Sequence, residues 1–202
     1  MKLPAGGQSV ERIPLCYTLF AEPQVCPARF QGNLAMSDAE QPTRSRLISW
    51  SDPRKAAEIG RTMGGLEYLR AIVEGRVPQP PIAQAIGMRL VEIAEGRAVF
   101  ALEPAEYHYN PIGSVHGGIA ATLLDSAMGC SVNTLLPTGV GYTTLELKVN
   151  YIRPLTLGVG EVRAEGTVIH LGGRIATAEG RVVDAAGKLY AHGTTTCLIL
   201  RG

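Results

Sequence analysis

The chain has 202 residues, 46% of them hydrophobic and 5% aromatic, and its 19 Lys and Arg against 18 Asp and Glu leave a formal charge of +1. That length suits one domain with an appendage and can bury a core without disulfides or metal. The near-neutral balance excludes the electrostatic footprint of phosphate-backbone binding, and no apolar run reaches the roughly 18–20 residues that span a bilayer; neither nucleic acid nor membrane is an expected partner, and a cytoplasmic location is expected.

Residues 1–50 read as an irregular or disordered leader. Pro4, Pro14, Pro23, Pro27 and Pro42 interrupt any periodic pattern, and Met36 is a candidate start. A helical arm is expected over 51–78. It opens with an Asp52 cap and Pro53 at the first helical position, followed by Ala56, Ala57, Ile59 and Met63 at helical spacing. After Gly64-Gly65 a second apolar set, Leu66, Leu69, Ile72 and Val73, extends the arm.

The domain proper is expected over 79–202. A short helix at 82–86 ends at Gly87, and the apolar period then switches to two, giving a hairpin from 88–93 and 97–102. A polar loop leads to one long apolar helix at about 117–135. Four strand-like runs follow, at 142–153, 161–170, 174–184 and 188–200, joined by short glycine-bearing connections. One helix must therefore cover a face of an antiparallel sheet, an α+β arrangement, with Gly166 and Gly180 inside strands marking curvature around it.

Cys16, Cys26, Cys130 and Cys197 are too scattered for a zinc knuckle, so no metal is expected and the thiols read as free and buried. Between Glu106 and Glu146 the only formally charged residue is Asp125, where an 18% charged composition predicts roughly seven. On a helix this carboxylate stands over Ala121, Thr122, Met128 and Gly129, and partial loss of water there strengthens it as a base. A structural role, bonding a backbone amide or a partner-chain group, is equally open from spacing alone.

Gly117-Gly118 opens the same helix. Its first backbone N–H groups have no intrahelical partner, and glycine lets a ligand oxygen approach them closely, as an oxyanion hole requires. Asp125 lies more than two turns further along, so one small group meets both only if the substrate spans them or a second subunit supplies one. This separation predicts a site shared in a dimer.

Asn110, His116-Gly117-Gly118, Asp125 nine positions after the histidine, and the strand end Asn150-Tyr151-Ile152-Arg153-Pro154 together resemble the hot-dog-fold acyl-CoA thioesterases of the phenylacetyl-CoA thioesterase type. The resemblance covers about 82–198. It implies a hot-dog fold, an antiparallel sheet wrapped around a central long helix, in a homodimer usually paired into a tetramer, with active sites at the subunit interface. The reaction implied is hydrolysis of acyl-CoA to free acid and CoA, with CoA as part of the substrate and no separate cofactor.

On this resemblance Asp125 is nucleophile or general base, the Gly117 amide polarises the thioester carbonyl, Asn110 orients substrate or water, and Thr144 helps place the water. For His116 a loop-fixing cap is favoured over proton transfer, because its position at the helix start suits one. The resemblance places CoA contacts at Tyr151, Arg153 and Pro154 and at His170, Gly172, Gly173 and Arg174, segments that combine a guanidinium with exposed backbone N–H groups. A non-catalytic acyl-CoA-binding module and a dehydratase are the rival readings on the same fold. Retention of Asp125 with Asn110 and the glycine pair favours the hydrolase. Ala120, Leu124, Met128 and Val132 are candidates both for an acyl pocket and for core.

Overall fold

In the computed structural model, residues 43–201 are described, and most of the leader read from the sequence, including Cys16, Cys26 and Met36, lies outside them. The element order is α1 (Pro53–Arg61), α2 (Gly65–Val73), α3 (Pro81–Ile86), β1 (Met88–Ala94), β2 (Arg97–Leu102), α4 (Gly117–Asn133), β3 (Val140–Tyr151), β4 (Val162–Leu171), β5 (Ile175–Asp184) and β6 (Leu189–Arg201). All six strands form one antiparallel sheet in the order β1-β2-β4-β5-β6-β3, so β1 and β3 are its edges.

Local sequence accounts for the helix ends. Asp52 accepts the Arg54 N–H at 2.9 Å, and Pro53 follows at the first helical position. Gly87, with φ of 82°, closes α3 in a left-handed conformation that side-chain-bearing residues avoid. His116 caps α4: its Nδ1 accepts the Gly118 N–H at 2.9 Å.

Helix α4 packs along the sheet because the sheet makes room for it. Gly166, Gly180 and Gly193 are register partners on β4, β5 and β6, and they form a row of missing side chains across three strands. A Cβ at Gly166 would lie 2.3 Å from the Ala127 carbonyl carbon, and one at Gly180 would lie 3.0 Å from the Met128 side chain. Gly166 and Gly180 thus serve close helix–sheet approach, a non-local role beyond the curvature expected of them. We expect Gly166→Val to destabilise the fold by about 3 kcal/mol in chemical denaturation, since the opposing atoms are backbone and cannot swing away. Gly173→Ala, at a position with open space around it, should stay within about 0.5 kcal/mol of wild type.

The core lies between α4 and the sheet. Leu123, Leu124, Met128 and Val132 of α4 are fully buried there, so Leu124, Met128 and Val132 are core residues. The α2 side chains Leu69, Ala71 and Ile72 join the same cluster. A Cβ on Gly65 would lie 1.8 Å from the Asn133 carbonyl oxygen, and the Gly65 N–H bonds the Leu136 carbonyl at 3.0 Å. The start of α2 is therefore seated on the C-terminal end of α4, where a side chain could not enter.

Candidate active site

Two groups of candidate side chains form at different ends of the sheet. The first is built on the α4 N-terminus. Residues 109–115 make a tight loop in which Tyr109 bridges Val115 and the His116 N–H bonds the His108 carbonyl at 2.7 Å. Asn110 organises this loop: its Oδ1 accepts from the Ile112 and Ser114 N–H groups, and its Nδ2 donates to the Ser114 hydroxyl. His108, fully buried, accepts the Ala105 N–H at Nδ1 and donates from Nε2 to the Ile86 carbonyl, and burial holds its pKa below the ordinary histidine value. It fixes the loop as a neutral ring, a role its position in the sequence did not disclose.

This loop delivers Gly117 to the wall of a cleft of about 310 Å³, shared with Asn110, His116, Tyr151, Arg153 and Pro154. The Gly118 N–H is taken by His116, whereas the Gly117 N–H has no partner among the described residues. The Tyr151 hydroxyl donates to the Gly117 carbonyl at 3.2 Å, and its ring lies against the glycine, 3.2 Å from where a Cβ would stand. Arg153, two residues past the end of β3, donates from Nη1 to the Leu189 carbonyl at 2.6 Å, which holds the guanidinium at the rim. A free helix-terminal N–H beside a tethered guanidinium suits an oxygen that carries or develops negative charge.

The second group surrounds Asp125. The Thr144 hydroxyl donates to Asp125 Oδ1 at 2.9 Å, and Oδ2 has no hydrogen-bond partner among the described residues. Both residues are half-buried, and the β3 bulge follows Thr144 directly, placing Leu145 as an extra residue on the edge strand. Cys130, Tyr142 and Cys197 lie close enough to Asp125 to feel its charge. Burial pushes the Cys130 thiol up to about 12 and Cys197 up as well, so both stay protonated and unreactive at neutral pH. Sequence reasoning missed Tyr142, whose proximity comes from the pairing of β3 alongside α4 and has no local signal.

Within one chain these groups stay apart. Gly117 and Asp125 are separated by eight residues of α4, about 12 Å. The two segments expected to hold CoA are also divided: Tyr151 pairs with Ala191 on β6 and Ile175 with Leu198, seven residues further along that strand, or about 23 Å. His170, Gly172, Gly173 and Arg174 sit at the β4–β5 turn, on the Asp125 side, because Thr144 pairs with Cys197 and Cys197 with Ala176. Asn110, His116, Gly117, Tyr151, Arg153 and Pro154 are thus gathered at one end, and Asp125, Thr144 and the turn at the other.

No group of three or more His, Cys, Asp or Glu side chains suited to a metal occurs among the described residues, and no helix among them is long and apolar enough to cross a membrane.

A long helix packed on one six-stranded antiparallel sheet is the hot-dog arrangement. The model of the thioesterase superfamily matches residues 112–191. Acyl-coenzyme A thioesterase 13 of Homo sapiens is 30% identical over 134 residues, 64% of this chain and 93% of that protein. The 1,4-dihydroxy-2-naphthoyl-CoA hydrolase of Listeria monocytogenes is 27% identical over 58% of this chain and 94% of its own length. Among solved structures, a mutant of the phenylacetic acid degradation protein PaaI from Thermus thermophilus superposes with a TM-score of 0.53 at 34% identity, over 58% of this chain and 97% of that one. The chain belongs to the thioesterase superfamily and is a thioester hydrolase.

Proposed function

We propose that the protein hydrolyses an acyl-CoA thioester to the free acid and CoA, that the reaction depends on Asp125 and uses no metal, and that each site is completed by a second copy of the chain. The observation that carries this reading is the Asp125–Thr144 pair on an otherwise uncharged helix, with Oδ2 left open. Human and bacterial relatives named for acyl-CoA hydrolysis support the substrate class.

Chemically, water bound near Thr144 gives a proton to Asp125 as its oxygen adds to the thioester carbonyl. The tetrahedral intermediate collapses with cleavage of the carbon–sulfur bond, and the departing CoA sulfur takes up the proton. In the nucleophilic variant Oδ2 itself attacks, and the mixed anhydride formed is then hydrolysed. The Gly117 N–H stabilises the oxyanion in both routes. Single turnover in heavy-oxygen water tests the second route: label in the protein carboxylate identifies Asp125 as nucleophile, with water opening the anhydride at the aspartyl carbonyl carbon. Neither route needs a metal, so hydrolysis should persist undiminished after dialysis against a chelator.

The paired ends support the shared site. A two-fold axis beside the β3 edge would bring the Asp125 end of one copy to the Gly117 end of its partner, and with it the β4–β5 turn to the Arg153 segment. Strand β3 is fit for such contact: twelve residues long, unpaired on its outer side, with Leu145 and Tyr151 more than half exposed. Release of CoA thiol from a panel of acyl-CoA esters is the direct test of function. Mixing Asp125→Asn chains with chains disabled at Asn110 should restore part of the lost activity, and verified heterodimers without recovery would argue against sharing. The two described cysteines are both free thiols, in keeping with a reducing cytoplasm.

A further inference from the structure

Helix α4 and strand β3 run side by side beyond the Asp125 carboxylate. Asp125 meets Thr144, Gly129 meets Tyr142, and Asn133 and Val140 both border a groove of about 650 Å³. The far wall of that groove is the arm: Ala57, Gly60 and Arg61 of α1 and Tyr68 of α2. Tyr142 stands between carboxylate and groove, with the Cys130 thiol hydrogen-bonded to its hydroxyl. Tyr142 lies on the same face of β3 as Thr144, and a Cβ at Gly129 would be 2.7 Å from its hydroxyl oxygen, so ring and helix backbone are in contact there. Gly129 is one helical turn past Asp125, about 6 Å.

We propose that Tyr142 is the acyl-length stop of this enzyme: it closes the α4–β3 seam one turn beyond Asp125, restricts the native substrate to short or compact acyl groups, and separates the active site from the groove beneath the arm. This rests on the acyl-CoA hydrolase reading above. The glycine opposite the ring is what makes the stop tight, because any side chain at 129 would force the tyrosine out of the seam. With the ring removed, the seam continues into the groove, whose apolar walls at Ala57, Val140 and Leu200 suit a methylene chain.

The test is the chain-length profile of kcat/KM from butyryl- to dodecanoyl-CoA for wild type, Tyr142→Val and Ala57→Trp. Valine keeps the strand preference while removing the ring. Wild type should favour the shorter esters, and Tyr142→Val should raise the dodecanoyl-to-butyryl ratio at least tenfold. Ala57→Trp, which fills the groove behind an intact stop, should leave the wild-type profile unchanged. A folded Tyr142→Val enzyme with the wild-type ratio would overturn the proposal. So would an Ala57→Trp enzyme impaired on longer esters, which would mean the groove is already occupied by acyl chain, or impaired on all of them, which would mean it holds CoA. Wild-type protein that turns over none of the esters would instead defeat the substrate reading on which the proposal stands.

Discussion

Asp125→Asn should lower turnover by about two to four decades while acyl-CoA still binds. The amide has the size and shape of the carboxylate and can accept the Thr144 hydroxyl at its remaining oxygen, so the 2.9 Å contact and the packing around it persist. What disappears is the negative charge at the position of Oδ2, and with it both the capacity to take a proton from water and the capacity to attack a carbonyl. A structural Asp125 predicts the opposite pattern, in which binding or folding fails and the residual enzyme keeps its rate constant. Measuring CoA-ester affinity by calorimetry alongside kcat separates the two outcomes. Thr144→Val gives a graded companion: it removes the donor to Oδ1 and leaves Asp125 charged, so its loss in rate should be smaller than that of the asparagine variant.

The same carboxylate shows how far sequence reasoning reaches. Asp125 stood out because it is the lone formal charge between Glu106 and Glu146, and Gly117 because two glycines follow a capping histidine; both are signals read along the chain. The elements follow similarly local rules, and the strands lie within two residues of the runs marked by alternation and glycine turns, with α4 ending at Asn133 where 135 was expected. Relations between distant segments were not legible. Nothing in the order of residues says that Gly166, Gly180 and Gly193 fall in one row, since that depends on the register of three strands. Nor does it reveal that Tyr142 faces Gly129, or that the arm delivers Leu69 and Ile72 to the core of the domain. Nor do the two segments matched to CoA contacts say how far apart they lie: β6 separates them by seven residues of strand, one towards either end of the sheet.

The amide of Gly117 is the other position where one substitution should nearly abolish the reaction. Its N–H has no partner among the described residues, and Gly117 lines the cleft that Arg153 and Tyr151 border. An interaction made to the developing oxyanion is stronger in the transition state than in the ground state, so removing it should lower kcat more than it raises KM. Gly117→Pro deletes that donor in the first turn of α4, where proline's fixed φ is compatible with the helix and no intrahelical bond is lost. The neighbouring cap does not depend on the deleted donor, because His116 bonds the Gly118 N–H and not that of residue 117. The proline ring must still displace Tyr151, whose ring atoms lie 3.2–3.3 Å from a Cβ at this position, but that side chain is more than half exposed and can turn outward. Gly117→Ala meets the same ring and keeps the N–H, which makes it the control for the steric part of the effect. We expect roughly two to three decades of lost rate for proline, the usual scale for one oxyanion donor, and less than about one decade for alanine. Equal losses in the two variants would assign the effect to Tyr151 and the shape of the cleft, and a proline variant with an unchanged rate constant would move the oxyanion site to another amide.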